Sequence, residues 1–192
     1  MVKLNKIYTR TGDGGSTGLG TGQRVSKADI RIAAFGTVDE TNAAIGIVRL
    51  QLASLPALDA QLTRIQNDLF DLGADLCVPD RGEDLGYEPL RMSDDQALRL
   101  EHEIDAMNAT LQPLNSFVLP AGSAAAASLH LARTICRRAE REMVALAATE
   151  GEPVSAAALK YINRLSDYLF VASRFVNAQG AGDVLWVPGK NR

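Results

Sequence analysis

Residues 56–78 read PALDAQLTRIQNDLFDLGADLCV, and their pattern decides the fold class. Apolar side chains recur there at spacings of three and four, which is the period of one face of an α-helix. Pro56 suits the first turn of a helix, and Pro79 cannot continue one. The stretch therefore predicts one helix over about 56–78. Its apolar face consists of Leu58, Leu62, Ile65, Leu69, Leu72 and Leu76.

Four further stretches repeat the helical period, and a serine that can act as an N-cap precedes each of them. They predict helices from Ser26 to about 53, from Ser93 to a stop at Pro113, from Ser123 to about 149 and from Ser155 to about 179. Runs with the alternating period of a strand are nearly absent. We therefore expect an all-α, single-domain bundle of about five helices. Residues 1–25 form a glycine-rich N-terminal loop, 26–179 the bundle and 180–192 a tail.

The composition narrows the class of protein. A chain of 192 residues suits one domain, and a net charge of −3 gives no general attraction to nucleic acid or to anionic lipid. No apolar run approaches the roughly 18 residues that span a bilayer. Cys77 and Cys136 both lie within helical patterns, which indicates reduced thiols. We expect a cytoplasmic enzyme or binding protein without nucleic-acid or membrane partners.

The N-terminal loop has the composition of an anion-binding segment. Six glycines fall between positions 12 and 22, among hydroxyl side chains and near Arg10 and Lys27. Glycine lets backbone amides approach a polyanion closely. The spacing does not match the phosphate-binding P-loop motif. The alternative interpretation is a flexible N-terminal segment that binds no ligand.

The fourth predicted helix concentrates arginine on one face. Residues 132–141 read ARTICRRAER, and at about 100° per residue Arg133, Arg137 and Arg141 share a sector with Glu140. Arg138 faces elsewhere. One carboxylate cannot neutralise three guanidinium groups, so the face requires anions from a triphosphate, another helix or another subunit. An exposed, salt-bridged surface remains the alternative.

Six stretches stand out when they are taken in order: TRTGDGG (9–15), VDETN (38–42), LFDLGADL (69–76), FVLPAGS (117–123), ARTICRRAER (132–141) and YINRLSDYLF (161–170). Together they resemble the PduO-type ATP:cob(I)alamin adenosyltransferases. The resemblance implies transfer of the 5′-deoxyadenosyl group of ATP to the cobalt of cob(I)alamin, with adenosylcobalamin and triphosphate as products. It further implies Mg²⁺, a homotrimer with ATP at subunit interfaces, and a flavin-dependent reductase and an adenosylcobalamin-dependent mutase as partners.

The resemblance also implies roles for individual residues. Arg137, Arg141 and Phe117 are the implied catalytic residues, and Phe117 borders the corrin and displaces its lower axial base. Asp39 is implied to pair with Arg133 across the subunit interface. The metal ligands stay unassigned. The implied ATP-binding residues are Thr9, Arg10, Thr11, Gly12, Thr17, Gly18, Lys27, Arg137, Arg138, Ala139, Glu140, Arg141 and Asn163.

Two residues depart from the family pattern. Ala121 replaces the first of two glycines, which would strain the backbone if that position needs a positive φ. Thr41 stands where a larger apolar residue is common. Other functions stay open on the sequence alone: a non-catalytic carrier of cobalamin or nucleotide, a helical nucleoside triphosphate hydrolase, and a structural helical trimer.

Overall fold

The computed structural model describes residues 7–192, and five helices dominate it. This confirms the predicted all-α class. A small two-stranded sheet precedes the helices, and no helix among the described residues is both long and apolar enough to cross a membrane. The helices are α1 (Ile30–Arg49), α2 (Pro56–Cys77), α3 (Asp94–Asn108), α4 (Ala124–Ala147) and α5 (Ala156–Phe175).

Consecutive helices run in opposite directions, and α1 packs against both α2 and α4. Glu40 on α1 pairs with Arg138 on α4, whereas Gln51 just past α1 donates to Ser128 near the start of α4. One end of the bundle therefore collects the start of α1 and the ends of α2 and α4. We call it the arm end, and the opposite end, where α4 starts and α5 stops, the tail end.

The predicted leucine stripe of α2 faces the core. All six of its apolar residues are buried, with exposed fractions of at most 4%. Cys136 of α4 is also buried, and burial raises the pKa of its thiol, so it stays protonated and unreactive. Thr41 is buried as well, and its hydroxyl donates to Thr37 O at 2.9 Å. The threonine thus packs without an unsatisfied polar group.

The predicted N-cap residues are confirmed for three helices and wrong for one. Ser93 forms a capping box with Gln96, and Ser123 and Ser155 each cap the following helix. The assignment of Ser26 as the cap of α1 is wrong, because the side chain of Asp29 accepts from Arg31 N at 2.8 Å instead. Serine and aspartate are comparably good caps, so residue type alone does not choose between them.

Four predicted helix ends are also too late. The first, fourth and fifth helices end at Arg49, Ala147 and Phe175 rather than at about 53, 149 and 179, and the third ends at Asn108, before the stop predicted at Pro113. After α5 the backbone turns left-handed at Ala178 and Gln179, with φ of 53° and 52°. That conformation does not continue a right-handed helix.

The N-terminal segment is not entirely loop, contrary to the prediction. Ser16–Gly18 (β1) pairs antiparallel with Arg24–Ser26 (β2), and Thr17 lies opposite Val25. Threonine and valine favour strands, and the glycines between them permit the reversal. We call residues 7–27 the arm. Strands of three residues are too short to show an alternating pattern in the sequence.

Ala121 is accommodated without backbone strain. Its φ lies outside the positive range, and the left-handed conformation falls on Gly122, with φ of 103°. A Cβ atom at position 122 would also lie 2.6 Å from the Asn177 side chain, whose Oδ1 accepts from Ser123 N at 3.0 Å. Glycine is therefore required at position 122 and not at position 121.

Candidate functional site

The first part of the arm is a compact turn held by its backbone. Asp13 N donates to Arg10 O at 3.4 Å, and Gly15 N donates to Gly12 O at 3.2 Å. Arg10 and Gly15 adopt positive φ values of 61° and 81°. For arginine this conformation is strained by about 1–2 kcal/mol, and such strain often occurs where a loop is shaped for a ligand.

Lys27 places its ammonium group beside this turn. A Cβ atom at Gly12 would lie 3.2 Å from Lys27 Nζ, so the lack of a side chain there makes room for the ammonium. The backbone N of Lys27 donates to Gly15 O at 2.9 Å. No carboxylate within the described residues forms an ion pair with Lys27. A turn rich in amides next to an unpaired cation is suited to an anion.

The other predicted nucleotide residues of the arm lie along the same segment. Thr9 and Thr11 are exposed, and their hydroxyl oxygens are 2.8 Å apart. Thr17 and Gly18 belong to β1. Arg24, which the sequence did not indicate, donates to Thr11 O at 2.8 Å and so braces the turn against the hairpin.

Arg133, Arg137 and Arg141 form an arginine ridge along α4. Arg137 and Arg141 are exposed, and Arg141 Nη1 donates to Arg137 O at 3.0 Å. Arg133 is half-buried, and its Nε atom is buried without a hydrogen-bond partner. Burial, and then the charge of Arg137, lowers the pKa of Arg133. Across residues 7–192 no carboxylate pairs with any of these three arginines.

Two neighbours of the ridge are engaged elsewhere. Arg138 forms an ion pair with Glu40 of α1, consistent with its position outside the ridge sector. Ala139 is completely buried in the core, so its methyl group does not reach the surface of the protomer. Ala139 is therefore not available to a ligand on the ridge of the same protomer, and Arg138 already has a carboxylate partner.

Glu140 and Asn163 connect the ridge to α5. Asn163 Nδ2 donates to Glu140 Oε1 at 2.6 Å. Both residues were predicted to bind nucleotide, and the structure brings them together. Glu140 carries the one carboxylate that the helical projection places on the same face of α4 as the ridge, and this carboxylate is therefore hydrogen-bonded to Asn163.

Asp39 and Arg133 do not pair within the protomer. Asp39 is exposed on α1, and no hydrogen bond or ion pair to it occurs within residues 7–192. It lies beside an apolar groove of about 450 Å³ between α1 and α2, which also borders Phe70. The predicted pairing of Asp39 with Arg133 across a subunit interface stays a prediction.

Phe117 lies at the tail end and is 76% exposed. Its ring centroid is 6.0 Å from that of Trp186, with the planes inclined by 54°. Trp186 N donates to Phe117 O at 2.8 Å, and Leu119 N donates to Val184 O at 2.8 Å. The tail thus forms a short ladder beside Phe117. The sequence analysis did not identify Trp186, because no pattern in the tail indicates a contact with Phe117, which lies almost 70 residues earlier in the chain.

The protomer does not bring all the predicted residues together. The arm contacts the bundle at the arm end, where Gly20 N donates to Cys77 O at 2.9 Å. No hydrogen bond joins residues 9–27 of the arm to α4 in the described part of the chain. Phe117 precedes the start of α4, and Arg137 lies 13 residues into the helix, about 20 Å along its axis at the usual rise.

The described residues offer no ready-made metal cage. Among them no group of three histidine, cysteine, aspartate or glutamate side chains converges on one point. Mg²⁺ often retains water and binds through substrate phosphates rather than through an all-protein cage.

Comparisons with known proteins give one consistent result. A family model described as cobalamin adenosyltransferase matches residues 7–176. The corrinoid adenosyltransferase of Mycobacterium tuberculosis is 50% identical over 195 residues, covering 100% of this chain and 97% of that protein. The corrinoid adenosyltransferase of Bacillus subtilis is 44% identical over 183 residues, covering 93% of this chain and 91% of that protein.

A solved structure extends the likeness to the fold. A phenylalanine-to-alanine variant of the PduO-type ATP:corrinoid adenosyltransferase from Lactobacillus reuteri, complexed with cobalamin and ATP, superposes with a TM-score of 0.86. It is 38% identical and covers 94% of this chain and 99% of that chain. The resemblance identified from the motifs is confirmed. The chain belongs to the cobalamin adenosyltransferase family, and it is a transferase that adenosylates cobalamin with ATP.

Proposed function

We propose that the arm and the arginine ridge together hold the triphosphate of ATP. The observation that carries this proposal is the ridge itself, where Arg137 and Arg141 are exposed without a carboxylate partner in the described chain. A triphosphate supplies the missing negative charge, and planar guanidinium groups bind phosphate oxygens in pairs. The unpaired Lys27 beside the amides of the arm turn provides a second contact with the same group.

The reaction needs little acid–base chemistry from the protein. Co(I) of the reduced corrinoid is the nucleophile; its electron pair forms the bond to the 5′-carbon of ATP. The bond from that carbon to the triphosphate oxygen breaks, and its electrons leave with the triphosphate. Arg137, Arg141 and Lys27 stabilise the charge that grows on the leaving group. The remaining task is to orient the two substrates for attack.

We also propose that the active unit is a homotrimer. Two features support it: Arg133 has a buried Nε atom without a partner, and Asp39 is exposed without one in the described chain. A buried unsatisfied donor is rare in a complete assembly. An ion pair between Asp39 of one copy and Arg133 of the next would satisfy both. The arm and Phe117 also lie at opposite ends of one protomer, so neighbouring copies can complete each other's site.

Phe117 is proposed to contact the corrin and displace its lower axial base. A phenylalanine ring that is 76% exposed is available to cover an apolar face of a substrate. Loss of the axial base makes Co(II) easier to reduce to Co(I). Because this reduction must precede adenosyl transfer, a flavin-dependent reductase is a proposed partner, and an adenosylcobalamin-dependent mutase is a proposed acceptor of the product.

We assign Mg²⁺ to the ATP substrate and the cytoplasm as the compartment. Mg²⁺ offsets charge on a triphosphate, and it is usually held by substrate phosphates and water rather than by an all-protein cage. Cys77 and Cys136 are both free thiols, and unpaired cysteines are typical of reducing compartments.

The deciding experiment is an anaerobic incubation with ATP, Mg²⁺ and chemically reduced cobalamin. We expect the corrin absorbance to change to that of adenosylcobalamin, with one intact triphosphate released per corrin. Release of ADP and phosphate would indicate a nucleoside triphosphate hydrolase instead. Binding of both ligands without any spectral change would indicate a carrier, and either outcome would overturn the proposal.

A further inference from the structure

The arm is too small to hold its own position. Its sheet has two strands of three residues each, and an isolated two-stranded hairpin is marginal in water. Leu19 is the only apolar side chain of residues 7–27 that is buried in the protomer. The placement of the arm must therefore come from contacts with the rest of the bundle.

Those contacts converge on the tip of the hairpin, residues 19–23. Gly20 N donates to Cys77 O at 2.9 Å, and a Cβ atom at position 20 would lie only 2.5 Å from Val78 Cγ2. Leu19 N donates to Gln23 O at 2.8 Å, which closes the tip. The Gln23 side chain accepts a hydrogen bond from Arg81 Nη1 at 2.8 Å.

Arg81 joins this tip to a second anchor. Its Nη2 atom donates to Glu152 Oε1 at 2.7 Å, and its Nε atom donates to Gly151 O at 3.3 Å. The guanidinium group thus bridges the arm and the loop between α4 and α5, with its planar donors aimed in fixed directions.

Glu152 is itself held firmly by Arg31. The Arg31 side chain is 2% exposed, and its Nε atom donates to Glu152 Oε2 at 2.8 Å. The same side chain donates to Leu76 O at 2.8 Å and to Pro153 O at 3.1 Å. A chain of contacts therefore runs from the buried Arg31 through Glu152 and Arg81 to Gln23.

We propose that Arg81 is a positioning residue for ATP: it fixes the hairpin tip so that the turn at residues 9–15 and Lys27 are already in place when the nucleotide arrives. This inference rests on the proposed role of the arm in holding ATP. A tethered arm has less conformational freedom to lose on binding, and preorganisation of this kind strengthens affinity. Arg81 acts through the arm, so the proposal requires no contact between Arg81 and either substrate.

The test compares the steady-state kinetics of Arg81→Gln with those of the unchanged enzyme. Loss of a charged hydrogen bond from the tether predicts a rise in KM for ATP of roughly three- to tenfold. The KM for the corrinoid and kcat at saturating ATP stay within about twofold, because the ordered arm is regained once ATP is bound. Trypsin should also cleave faster after Arg24 and Lys27 in the absence of ATP.

Two further variants separate tethering from general damage. Gln23→Ala, at an exposed residue, should raise the KM for ATP similarly, and the double variant should be no worse than Arg81→Gln alone. Arg81→Lys, which keeps the charge beside Glu152, should recover part of the affinity. The matched control is Arg49→Gln, because Arg49 also makes three side-chain hydrogen bonds but lies away from the arm.

The contrary outcomes are distinct. Equal losses in kcat, in the KM for the corrinoid and in the KM for ATP would assign Arg81 a purely structural role. If Lys27→Ala raises the KM for ATP while Arg81→Gln and Gln23→Ala do not, the tether is wrong and the arm site stands. If Lys27→Ala also leaves this KM unchanged, the proposed role of the arm fails, and the tether fails with it.

Discussion

Asn163 on α5 donates its amide to Glu140 on α4 at 2.6 Å and so engages the carboxylate nearest in projection to the arginine ridge. A free carboxylate at that place would compete with an anionic ligand for the guanidinium groups. The bond to a neutral amide instead leaves the positive charge of Arg137 and Arg141 available. The packing of α4 against α5 thus gives Glu140 a hydrogen-bond partner other than the ridge arginines.

Asn163→Ala should weaken ATP binding by releasing Glu140. We expect a rise in the Kd for ATP of about three- to tenfold, the size of one hydrogen-bond contribution. The double variant Asn163→Ala with Glu140→Gln should recover much of the loss, because no carboxylate is then left to compete. Isothermal titration with ATP measures both effects. A double variant weaker than the single one would show that Asn163 acts by contacting the nucleotide itself.

Arg137→Ala and Arg141→Ala should each slow adenosyl transfer strongly. Each removes a charged contact with the departing triphosphate, worth about 2–4 kcal/mol, so the rate should fall roughly 30- to 1000-fold. Stopped-flow measurement with pre-reduced cobalamin isolates this step. Arg64→Ala is the control, since Arg64 pairs with Glu103 between α2 and α3. A rate for Arg137→Ala within twofold of the control would contradict the proposed role of the ridge.

Phe117→Ala should affect cobalt reduction more than nucleotide binding. Starting from Co(II), turnover should fall by at least tenfold, roughly the effect of 1.4 kcal/mol. With Co(I) supplied chemically, most activity should remain, and the KM for ATP should not change. Tyr87→Ala, at another exposed aromatic residue, serves as the control. Loss of ATP binding with normal cobalt reduction would show that Phe117 belongs to the nucleotide site.

Asp39→Arg and Arg133→Asp should each disrupt the proposed trimer, because each places like charges at the contact. Light scattering should report a mass near that of one chain for each single variant. The combined exchange restores the pairing of opposite charges and should restore the larger mass with part of the activity. Single variants that keep the mass of the unchanged protein would remove the support for this ion pair.

His130 should make stability depend on pH. It is buried; burial, and then the charge of Arg133, lowers its pKa, while Asp183 acts in the opposite direction. Its Nε2 atom lies 3.3 Å from Ser173 Oγ, and its ring packs near Phe170. Below about pH 6.5 the unfolded chain binds a proton that the folded chain resists.

The free energy of unfolding should therefore rise with pH from the lowered pKa up to about 6.5 and level off above it. Urea denaturation at several pH values measures this slope. His130→Gln should flatten it, whereas His102→Gln, at an exposed residue of α3, should leave it unchanged. An equal slope in His130→Gln would assign the pH dependence to other groups.

The helices were predictable because their signals are local. The stripe from Leu58 to Leu76 and the capping box at Ser93 each lie within a single element, so the sequence itself displays them. The hairpin of the arm was missed because its strands have only three residues each, and its contact with the bundle through Gln23 and Arg81 joins residues that are far apart in the sequence. Such long-range contacts leave no periodic trace.

Much of the candidate site was predictable for the same reason. The grouping of Arg133, Arg137 and Arg141 follows from helical geometry alone. The contact between Phe117 and Trp186 and the pairing of Glu40 with Arg138 require the chain to be folded. Contacts that form only when separate helices or loops pack together cannot be predicted from local sequence patterns.

The packing of α1 against α4 has a consequence for synthesis. Glu40 and Arg138, which pair between these helices, are 98 residues apart in the sequence. While the chain emerges from the ribosome, the apolar face of α1 that packs against α4 stays exposed to solvent until α4 has been translated. The nascent polypeptide is therefore most exposed to aggregation in that interval, when a chaperone that shields helical apolar surface has most to protect.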